Sequence, residues 1–354
     1  MGIAADVRYA LRSLSRNIGF AVGVVLVLGA GIGAATAVFV VAHRVLLAPL
    51  PYPDSERLVQ VDERYSPTTL GTICVVDIQA IAEQQKTLEA FGAMKSAGVS
   101  LAAGRYVEHI VVGRVTSGFF KALAIEPMSG RLLEPNDDRP GAPPAIVLSY
   151  ALAERAFGRA ANAVGRQIAI DGTFFDVVGV LGRDRDRLAG LRADAWPAMQ
   201  LPPPDRRGPF GYRGVARLRK GVTLAQANSD LASISARIFP AWKASFQDSN
   251  ARLTAIPLRA AIAGWASDQV GLFAGAVALV LLLGIANVGT LMLGRASARE
   301  QEFGIRTALG AARGNVARLI VSECLLLTVF SGVLAIAIAA FGLRLVHLVA
   351  PELP

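Results

Sequence analysis

Three long apolar segments interrupt a sequence of 354 residues that otherwise mixes apolar and polar positions. Phe20–Ala42 and Val270–Leu293 contain no charged residue, and a third segment, about Leu319–Leu343, contains one acid, Glu323. A bilayer core of about 30 Å requires about 20 apolar residues in a helix, and lipid offers no hydrogen-bond partner to an exposed backbone. The pattern therefore predicts three transmembrane helices and excludes an ordinary soluble protein.

The residues before the first span have the pattern of a basic amphipathic helix, in which Arg8, Arg12 and Arg16 form a row beside an apolar face. Such a helix lies among lipid head groups, so we interpret the three arginines as an interfacial anchor. A role in topology alone and an additional mechanical role both remain open. The first span is longer than the about 7–15 apolar residues of a signal peptide, so we expect it to remain uncleaved.

The distribution of arginine predicts the orientation of the spans. Residues 1–19 and 294–318 are both rich in arginine, and both lie on one side if the first two spans cross in opposite directions. Segments rich in Lys and Arg stay in the cytoplasm. We therefore predict a cytoplasmic amphipathic helix at 1–19, transmembrane helices at 20–42, 270–293 and 319–343, an external domain at 43–269, a cytoplasmic coupling segment at 294–318 and an external tail at 344–354.

The external segment alternates strand and helix patterns. Strands are predicted at Arg57–Glu63, His109–Thr116, Ala145–Leu148, Gln167–Ile170, Phe174–Val180 and Gly214–Leu218, and helices at Val76–Ala93, Ser149–Phe157 and Leu224–Phe239. Asp171-Gly172 is a hairpin signal, and Thr223 is a suitable cap for the last helix. The predicted fold class is an α-helical membrane protein, with three transmembrane helices and an N-terminal amphipathic helix. A large α+β extracytoplasmic domain is inserted between helices 1 and 2, in two lobes that divide within Pro202–Pro209.

Composition narrows the range of functions. The formal net charge is +9, with 53% hydrophobic and 18% charged residues. The basic excess sits at the span ends and is spread over the external domain, which disfavours nucleic-acid binding. Two cysteines and three widely separated histidines provide neither a disulfide framework nor a metal motif.

The sequence also lacks the common catalytic motifs. There is no G-x-x-x-x-G-K-[ST], no G-x-S-x-G and no H-E-x-x-H, so we predict no catalytic residue, no cofactor and no enzymatic activity on this chain. The letters of Gly29 to Ala34 match a dinucleotide fingerprint, but they lie in mid-span without a preceding strand. We interpret Gly29, Gly33 and Ala37 instead as a helix-packing face of small residues.

The segment between the second and third spans is longer than a simple turn and contains apolar residues, among them Phe303, Ile305 and Leu309. A short amphipathic helix of this kind suits a groove on a partner protein; the alternative is a turn that lies on lipid. Glu323, near the start of the third span, is a functional candidate because acids are expensive in membranes. It is also close enough to the interface to reach water or a loop arginine.

Several of these stretches resemble one family. Residues 285–288 and Arg299–Ala311 are similar to the signature after the second span of MacB/FtsX/LolC-type permeases, the membrane subunits of type VII ABC transporters. Asp6–Arg12 is similar to their N-terminal helix. The external domain resembles the MacB-like periplasmic core domain at Val115–Phe120, Pro127–Arg131, Val164–Arg166, Phe175–Val180 and Ala216–Leu224. The resemblance is strongest to the long permeases of acidobacteria, and it implies an FtsX-like permease domain at about 270–354.

The resemblance implies a mechanism and a set of partners. In this family a separate cytoplasmic ATPase drives two permease chains together, and the movement passes through the spans to the periplasmic domain. For this chain it implies an inner-membrane location, an ATPase partner, a second permease chain in a homo- or heterodimer, contact with lipid and a periplasmic adaptor. The implied ATPase-coupling residues are Arg299, Glu302, Phe303, Ile305, Arg306, Leu309 and Arg313, with Glu302 and Arg306 as the polar contacts.

One departure from the family keeps alternatives open. The family has a fourth span, whereas this sequence ends at Pro354, soon after the third. We therefore expect either a truncated fragment or a remainder that is encoded separately. The alternative functions are a non-transport envelope sensor or scaffold, and a regulator of envelope hydrolases.

Overall fold

The computed structural model describes residues 3–43, 49–66, 69–104, 106–242, 251–298 and 313–349. The chain divides into two compact units. The helical unit comprises Met1–Ala48 and Ala263–Pro354, and the sheet unit comprises Pro49–Ile262.

The α-helices in the described residues are Ile3–Ser15 (α1), Ile18–Ala42 (α2), Val75–Gln84 (α3), Gly118–Leu123 (α4), Tyr150–Phe157 (α5), Leu224–Ile238 (α6), Leu258–Ala298 (α7) and Arg313–Val349 (α8). The strands are Leu58–Arg64 (β1), Leu70–Gly71 (β2), Leu88–Ala103 (β3), Tyr106–Val115 (β4), Ser129–Gly130 (β5), Ala145–Leu148 (β6), Gln167–Ile170 (β7), Thr173–Val180 (β8), Arg187–Leu188 (β9), Leu191–Arg192 (β10), Ala195–Pro197 (β11), Arg213–Leu218 (β12) and Arg252–Pro257 (β13).

Three helices of the helical unit are long and apolar enough to cross a membrane. Their apolar stretches are Ile18–Val40 in α2, Gly271–Arg295 in α7 and Val321–Arg344 in α8. The prediction of three spans from the apolar segments is thus confirmed. The buried face of α8 recurs at every fourth position, as the 3.6-residue helical repeat requires. It consists of Glu323, Leu327, Ser331, Ala335 and Ala339.

The sheet unit is built on one mixed sheet with the strand order β13-β1-β12-β3-β4-β11-β6-β8-β5, to which β2 adds beside β1 and β7 pairs with both β3 and β8. Most pairs are antiparallel, whereas β4–β11 and β6–β8 are parallel. Helices α3 and α6 contribute Ile78, Ile81, Leu231 and Ile234 to one apolar core, together with residues of β1, β12 and β13. The unit is therefore the large extracytoplasmic-type domain of strands and helices that the sequence predicts between the first two spans.

A second core surrounds Trp196, which is fully buried. Its ring stacks on Phe119 with the ring centroids 5.6 Å apart, and Phe120 meets it edge-on at 6.4 Å. Such aromatic pairs contribute about 0.5–1.5 kcal/mol beyond the burial of their area. This cluster fixes the short helix α4 on the sheet.

The structure confirms two elements that were predicted from local sequence signals, a turn and a helix cap. Asp171 (φ 46°) and Gly172 (φ 83°) form the predicted turn between β7 and β8, which requires positive φ at both positions. Thr223 Oγ1 accepts a hydrogen bond from Gln226 N–H (3.3 Å), and Gln226 Oε1 accepts one from Thr223 N–H (2.8 Å). This reciprocal capping box begins α6 at the predicted residue.

The predicted helix Val76–Ala93 is wrong in its second half. Helix α3 ends at Gln84, and β3 begins at Leu88. The Asp230 carboxylate of α6 accepts hydrogen bonds from Lys86 N–H (2.7 Å) and Thr87 N–H (3.2 Å), which holds the chain out of the helix. Strand β3 then pairs with β12 on one side and β4 on the other, and this tertiary pairing outweighs local helix propensity.

Candidate functional site

The segment predicted to couple to an ATPase lies largely outside the described residues. This holds for Arg299, Glu302, Phe303, Ile305, Arg306 and Leu309, whose role stays a prediction. Arg313 is the first residue of α8. The two helices that flank the segment are both described, since α7 ends at Ala298 and α8 begins at Arg313.

Four helices of the helical unit, among them the two that flank this segment in the sequence, pack against one another. Leu14 of α1, Val24 of α2 and Leu327 of α8 are buried against one another, and Val288 and Met292 of α7 pack against them. The exposed fractions of the first three residues are 6%, 0% and 2%. We call this cluster of Leu14, Val24, Val288, Met292 and Leu327 the four-helix junction. The junction thus packs α7 and α8 against α1 and α2.

Arg295 ties the end of α7 to the corner between α1 and α2. Its Nη2 donates to the Ser13 backbone oxygen (3.3 Å) and to Ser13 Oγ (3.2 Å), and its guanidinium lies over the Phe20 ring, 4.5 Å from the centroid. Sequence reasoning treated Arg295 only as a topology charge. An arginine that follows an apolar run carries no sign of an internal partner, so the sequence offered no signal for this contact.

The structure places the predicted anchor residues on the exposed surface of the helical unit. Arg8 and Arg12 of α1 and Arg16 after it are exposed, whereas Ala10 and Leu14 point inward. This separation is the amphipathic arrangement expected of a helix in a membrane interface. The anchoring role itself stays a prediction.

The small residues of α2 line the face that meets α8. A Cβ atom on Gly29 would lie 2.8 Å from Leu334 Cδ2, and one on Gly33 would lie 2.9 Å from the Ala335 backbone oxygen. Ala37 Cβ lies 3.7 Å from where a Cβ on Gly342 would be. The two backbones thus approach closely where the side chains are smallest, which is how helices associate in lipid. Glu323, 7% exposed, lies on the same buried face of α8.

The sheet unit contains a buried ionic cluster of Arg207, Glu63 and Asp77. Arg207 Nη2 lies 2.7 Å from Glu63 Oε2, and Arg207 Nε lies 3.4 Å from Asp77 Oδ1; the three side chains are at most 1% exposed. The guanidinium also lies 3.7 Å from the centroid of the Phe239 ring. Burial disfavours the charged form of Arg207, but Glu63 and Asp77 outweigh this and raise its pKa.

Burial shifts the pKa of two titratable groups near this cluster. Burial, followed by the Asp77 carboxylate, raises the pKa of the Cys74 thiol to about 11, so Cys74 is neutral and unreactive at pH 7. Burial also raises the pKa of Asp62, although the Gln60 amide and Arg213 act in the opposite direction. No group of His, Cys, Asp and Glu in the described part of the chain is placed to hold a metal ion.

Comparison with known proteins identifies two domains. Residues 21–234 match the MacB-like periplasmic core domain, and residues 274–352 match the FtsX-like permease C-terminal domain. A relative is the pyoverdine export ATP-binding/permease protein PvdT of Pseudomonas aeruginosa, 25% identical over 283 residues, which are 78% of this chain and 41% of PvdT. Another is the uncharacterized ABC transporter permease YknZ of Bacillus subtilis, 24% identical over 239 residues, 68% of this chain and 58% of YknZ.

The periplasmic region of MacB from Actinobacillus actinomycetemcomitans aligns with a TM-score of 0.41 and 12% identity over 56% of this chain and 89% of that one. The chain spans 41% of the length of PvdT and 58% of the length of YknZ. The match to the periplasmic core domain alone extends over more than half of the chain. The chain therefore belongs to the MacB/FtsX-type, or type VII, family of ABC transporter permeases.

Proposed function

We propose that this chain is a membrane permease subunit that couples ATP hydrolysis on a separate ATPase to movement of its periplasmic domain. The observation that supports the proposal is the four-helix junction, which packs α7 and α8, the helices that flank residues 299–312 in the sequence, against α1 and α2. The proposed mechanism is mechanotransmission, in which the spans transmit force to the periplasmic domain and no substrate passes between them. Its purpose is export or another handling of an envelope substrate.

The proposed path begins at the segment 299–312, where Glu302 and Arg306 contact the ATPase and Phe303, Ile305 and Leu309 fill a groove on it. A displacement there moves the ends of α7 and α8. Arg295 and the junction carry the movement to α1 and α2 because the contacts between these helices are close and buried. Helix α7 also contains Leu258–Ile262 of the sheet unit, so it is the element by which we expect the movement to reach the periplasmic domain.

The proposal includes a topology. Residues 1–19 and 294–318 face the cytoplasm, residues 43–269 form the periplasmic domain, and the protein lies in the inner membrane. Its partners are the ATPase, a second permease chain, membrane lipid and a periplasmic adaptor. The exposed Arg8, Arg12 and Arg16 support this orientation, because arginine is retained on the cytoplasmic side.

The first test is purification of the tagged chain from native membranes in mild detergent, with ATP hydrolysis assayed on the eluate. We expect a stoichiometric ATPase subunit to copurify. Recovery of the correctly inserted chain without an ATPase would contradict the proposal and favour an envelope sensor or an inactive fragment.

Two substitutions locate the ATPase contact. Glu302→Lys and Leu309→Arg are each expected to abolish copurification of the ATPase, because one reverses a contact charge and the other places a charge in an apolar groove. Glu126→Lys is the matched control, since it makes the same charge change at an exposed position of the sheet unit. Unchanged copurification with both coupling variants would refute the assignment of residues 299–312.

A further inference from the structure

The chain connects the sheet unit to the helical unit at two places. Residues 49–54, which we call the entry linker, follow the helical unit at the start of the sheet unit. Leu258–Ile262, which we call the exit turn, is the first part of α7 and the last part of the sheet unit. Because these are the two covalent connections between the units, a movement of the spans that acts along the chain reaches the sheet unit through them.

A small hairpin of the sheet unit lies against both connections. Strands β9 and β10 form a separate two-stranded sheet in which Leu188 pairs with Leu191, and Ala189 (φ 49°) and Gly190 (φ 81°) form its tip. Positive φ at both tip residues is the geometry of a tight hairpin turn. A residue with a Cβ atom adopts positive φ at an energetic cost and keeps it where surrounding contacts hold it. The strained Ala189 therefore points to contacts that hold the tip in place.

The hairpin holds the entry linker through two side chains. Tyr52 Oη accepts a hydrogen bond from Ala189 N–H (3.0 Å), and Tyr52 is only 9% exposed, so water competes little for this bond. Arg185, just before β9, donates from Nη1 to the Pro51 carbonyl oxygen (2.8 Å) and lies over the Tyr52 ring, 5.8 Å from its centroid. Two consecutive residues of the entry linker are thus fixed to the hairpin and to the residues that lead into it.

The same hairpin packs against the exit turn. Leu258 is 1% exposed, in the apolar core that also contains Leu188 and Tyr52. Ile262 packs against the same core, and a Cβ atom on Gly190 would lie 3.0 Å from Ile262 Cγ1, closer than an ordinary van der Waals contact. The tip therefore approaches the exit turn so closely that a larger residue at its end would displace one of them.

We propose that the tip Ala189-Gly190 clamps the entry linker to the exit turn, so that displacements of α2 and α7 reach the sheet unit as one movement. Tyr52, Arg185 and Gly190 are the positioning residues of this hairpin clamp. The proposal rests on the proposed function for the source of the movement. The clamp itself needs no ATPase, so it is tested on the chain alone, and its failure is distinguishable from a failure of the proposed function.

The first measurement is the distance between the two connections in the full chain, in nanodiscs and without an ATPase. Spin labels on Pro49→Cys and Ala260→Cys occupy exposed positions of the entry linker and the exit turn, and Cys324→Ser removes the exposed native thiol. We expect one narrow distance distribution. Gly190→Val is expected to broaden it, because a β-branched residue is strongly disfavoured at positive φ and its side chain meets Ile262.

Two matched controls separate the clamp from general effects of substitution. Gly172→Val also places valine at positive φ in a hairpin turn, but there no described atom beyond the chain neighbours lies within 4 Å of the added Cβ, so the distribution should stay narrow. Tyr52→Phe keeps the ring and removes the hydroxyl acceptor, so hydrogen exchange of the Ala189 amide should become about tenfold faster. Tyr150→Phe removes a hydroxyl that accepts a hydrogen bond from Arg183 Nη2 (2.6 Å) and should leave this exchange unchanged.

The second measurement uses the complex with the copurified ATPase. On addition of ATP we expect the distance between residues 49 and 260 to stay constant in the otherwise wild-type chain, because the clamped connections move as one body, and to change in Gly190→Val. ATP hydrolysis is expected to persist in this variant, which separates loss of transmission from loss of folding. A change of this distance with ATP in the otherwise wild-type chain, equal distributions in Gly190→Val and Gly172→Val, or unchanged exchange in Tyr52→Phe would overturn the proposal. A narrow distribution that Gly190→Val alone broadens supports the clamp even where no ATPase copurifies, and only the proposed function then fails.

Discussion

Replacing Arg207 by methionine removes the cation of the buried ionic cluster while it keeps a long side chain. The carboxylates of Glu63 and Asp77 then stay in a site where both are fully buried, without the guanidinium that lies 2.7 Å from one and 3.4 Å from the other. The guanidinium now makes a cation–π contact with the Phe239 ring, and a methionine thioether is expected to replace it with a sulfur–aromatic contact. The substitution therefore isolates the loss of charge from the loss of packing.

The expected destabilisation is about 3–5 kcal/mol, the range for removing one partner of a buried ion pair, because the remaining charges lose their compensation without regaining water. A matched control is Arg192→Met, which breaks the ion pair between Arg192 and Asp186 in a setting where the two side chains are 55% and 53% exposed. A pair so accessible to solvent contributes about 0–1 kcal/mol. The two variants remove the same group and differ in the burial of the pair.

The assay is urea unfolding of the full chain in nanodiscs, followed by tryptophan fluorescence, since Trp196 is fully buried in the sheet unit. Adding Glu63→Gln to Arg207→Met is expected to recover part of the lost stability, because one uncompensated carboxylate is removed and coupled residues are not additive. If Arg207→Met shifts the midpoint no further than Arg192→Met, or if Glu63→Gln brings no recovery, the cluster is not the stabilising centre that its burial indicates.

Four further substitutions test other parts of the structure. Burial raises the pKa of Asp62 above its unfolded value, so protonation contributes stability that is fully present below the unfolded pKa and is lost as the pH rises through the folded pKa. Asp62→Asn should remove this pH dependence from the urea midpoint and stabilise the protein at pH 7. Gly33→Leu should destabilise the helical unit by about 1–3 kcal/mol through overpacking against α8. Gly19→Leu, where no atom lies within 4 Å of the added Cβ, should leave the melting temperature in detergent unchanged. Arg295→Gln should retain ATPase copurification but reduce ATP-dependent movement of the permease, measured by a fluorophore pair on α1 and α7, because it removes a cation–π contact worth about 0.5–2 kcal/mol.

The parts of the fold that the sequence predicted well are those specified by neighbouring residues. Span length follows from bilayer thickness. The turn at Asp171-Gly172 depends on the backbone angles of its own residues, and the capping box depends on hydrogen bonds between Thr223 and Gln226, three residues apart. These signals need no knowledge of distant partners. That independence is why three spans, a hairpin and a helix start were placed correctly from sequence.

The strands that were missed depend on partners far away in the chain. Residues 88–93 continue the apolar rhythm of α3, and only the Asp230 carboxylate of α6 and the ladders with β12 and β4 make them part of β3. Strand β13 is formed by its pairing with β1. It is also stabilised by α6, where Asn228 Oδ1 accepts a hydrogen bond from Ala255 N–H. Such long-range pairing leaves no periodic trace in the strand itself, so a single sequence gives no basis for predicting it.

The partners of individual arginines are likewise not predictable from the sequence, and these partners determine which arginines can attract anionic lipid. From sequence, a net charge of +9 favours arginines at the lipid surface or in solvent, since an unpaired charge in a protein interior is strongly disfavoured. In the structure, several arginines instead bind to partners within the protein. Arg207 is buried between two carboxylates, Arg217 donates to the carbonyl oxygens of Ala122 (2.9 Å) and Pro53 (2.8 Å), and Arg295 bonds to Ser13. Attraction to anionic lipid depends on exposed charge within about a Debye length of the surface. It must therefore be assigned to residues such as Arg8, Arg12 and Arg16, and not to the net charge of the chain.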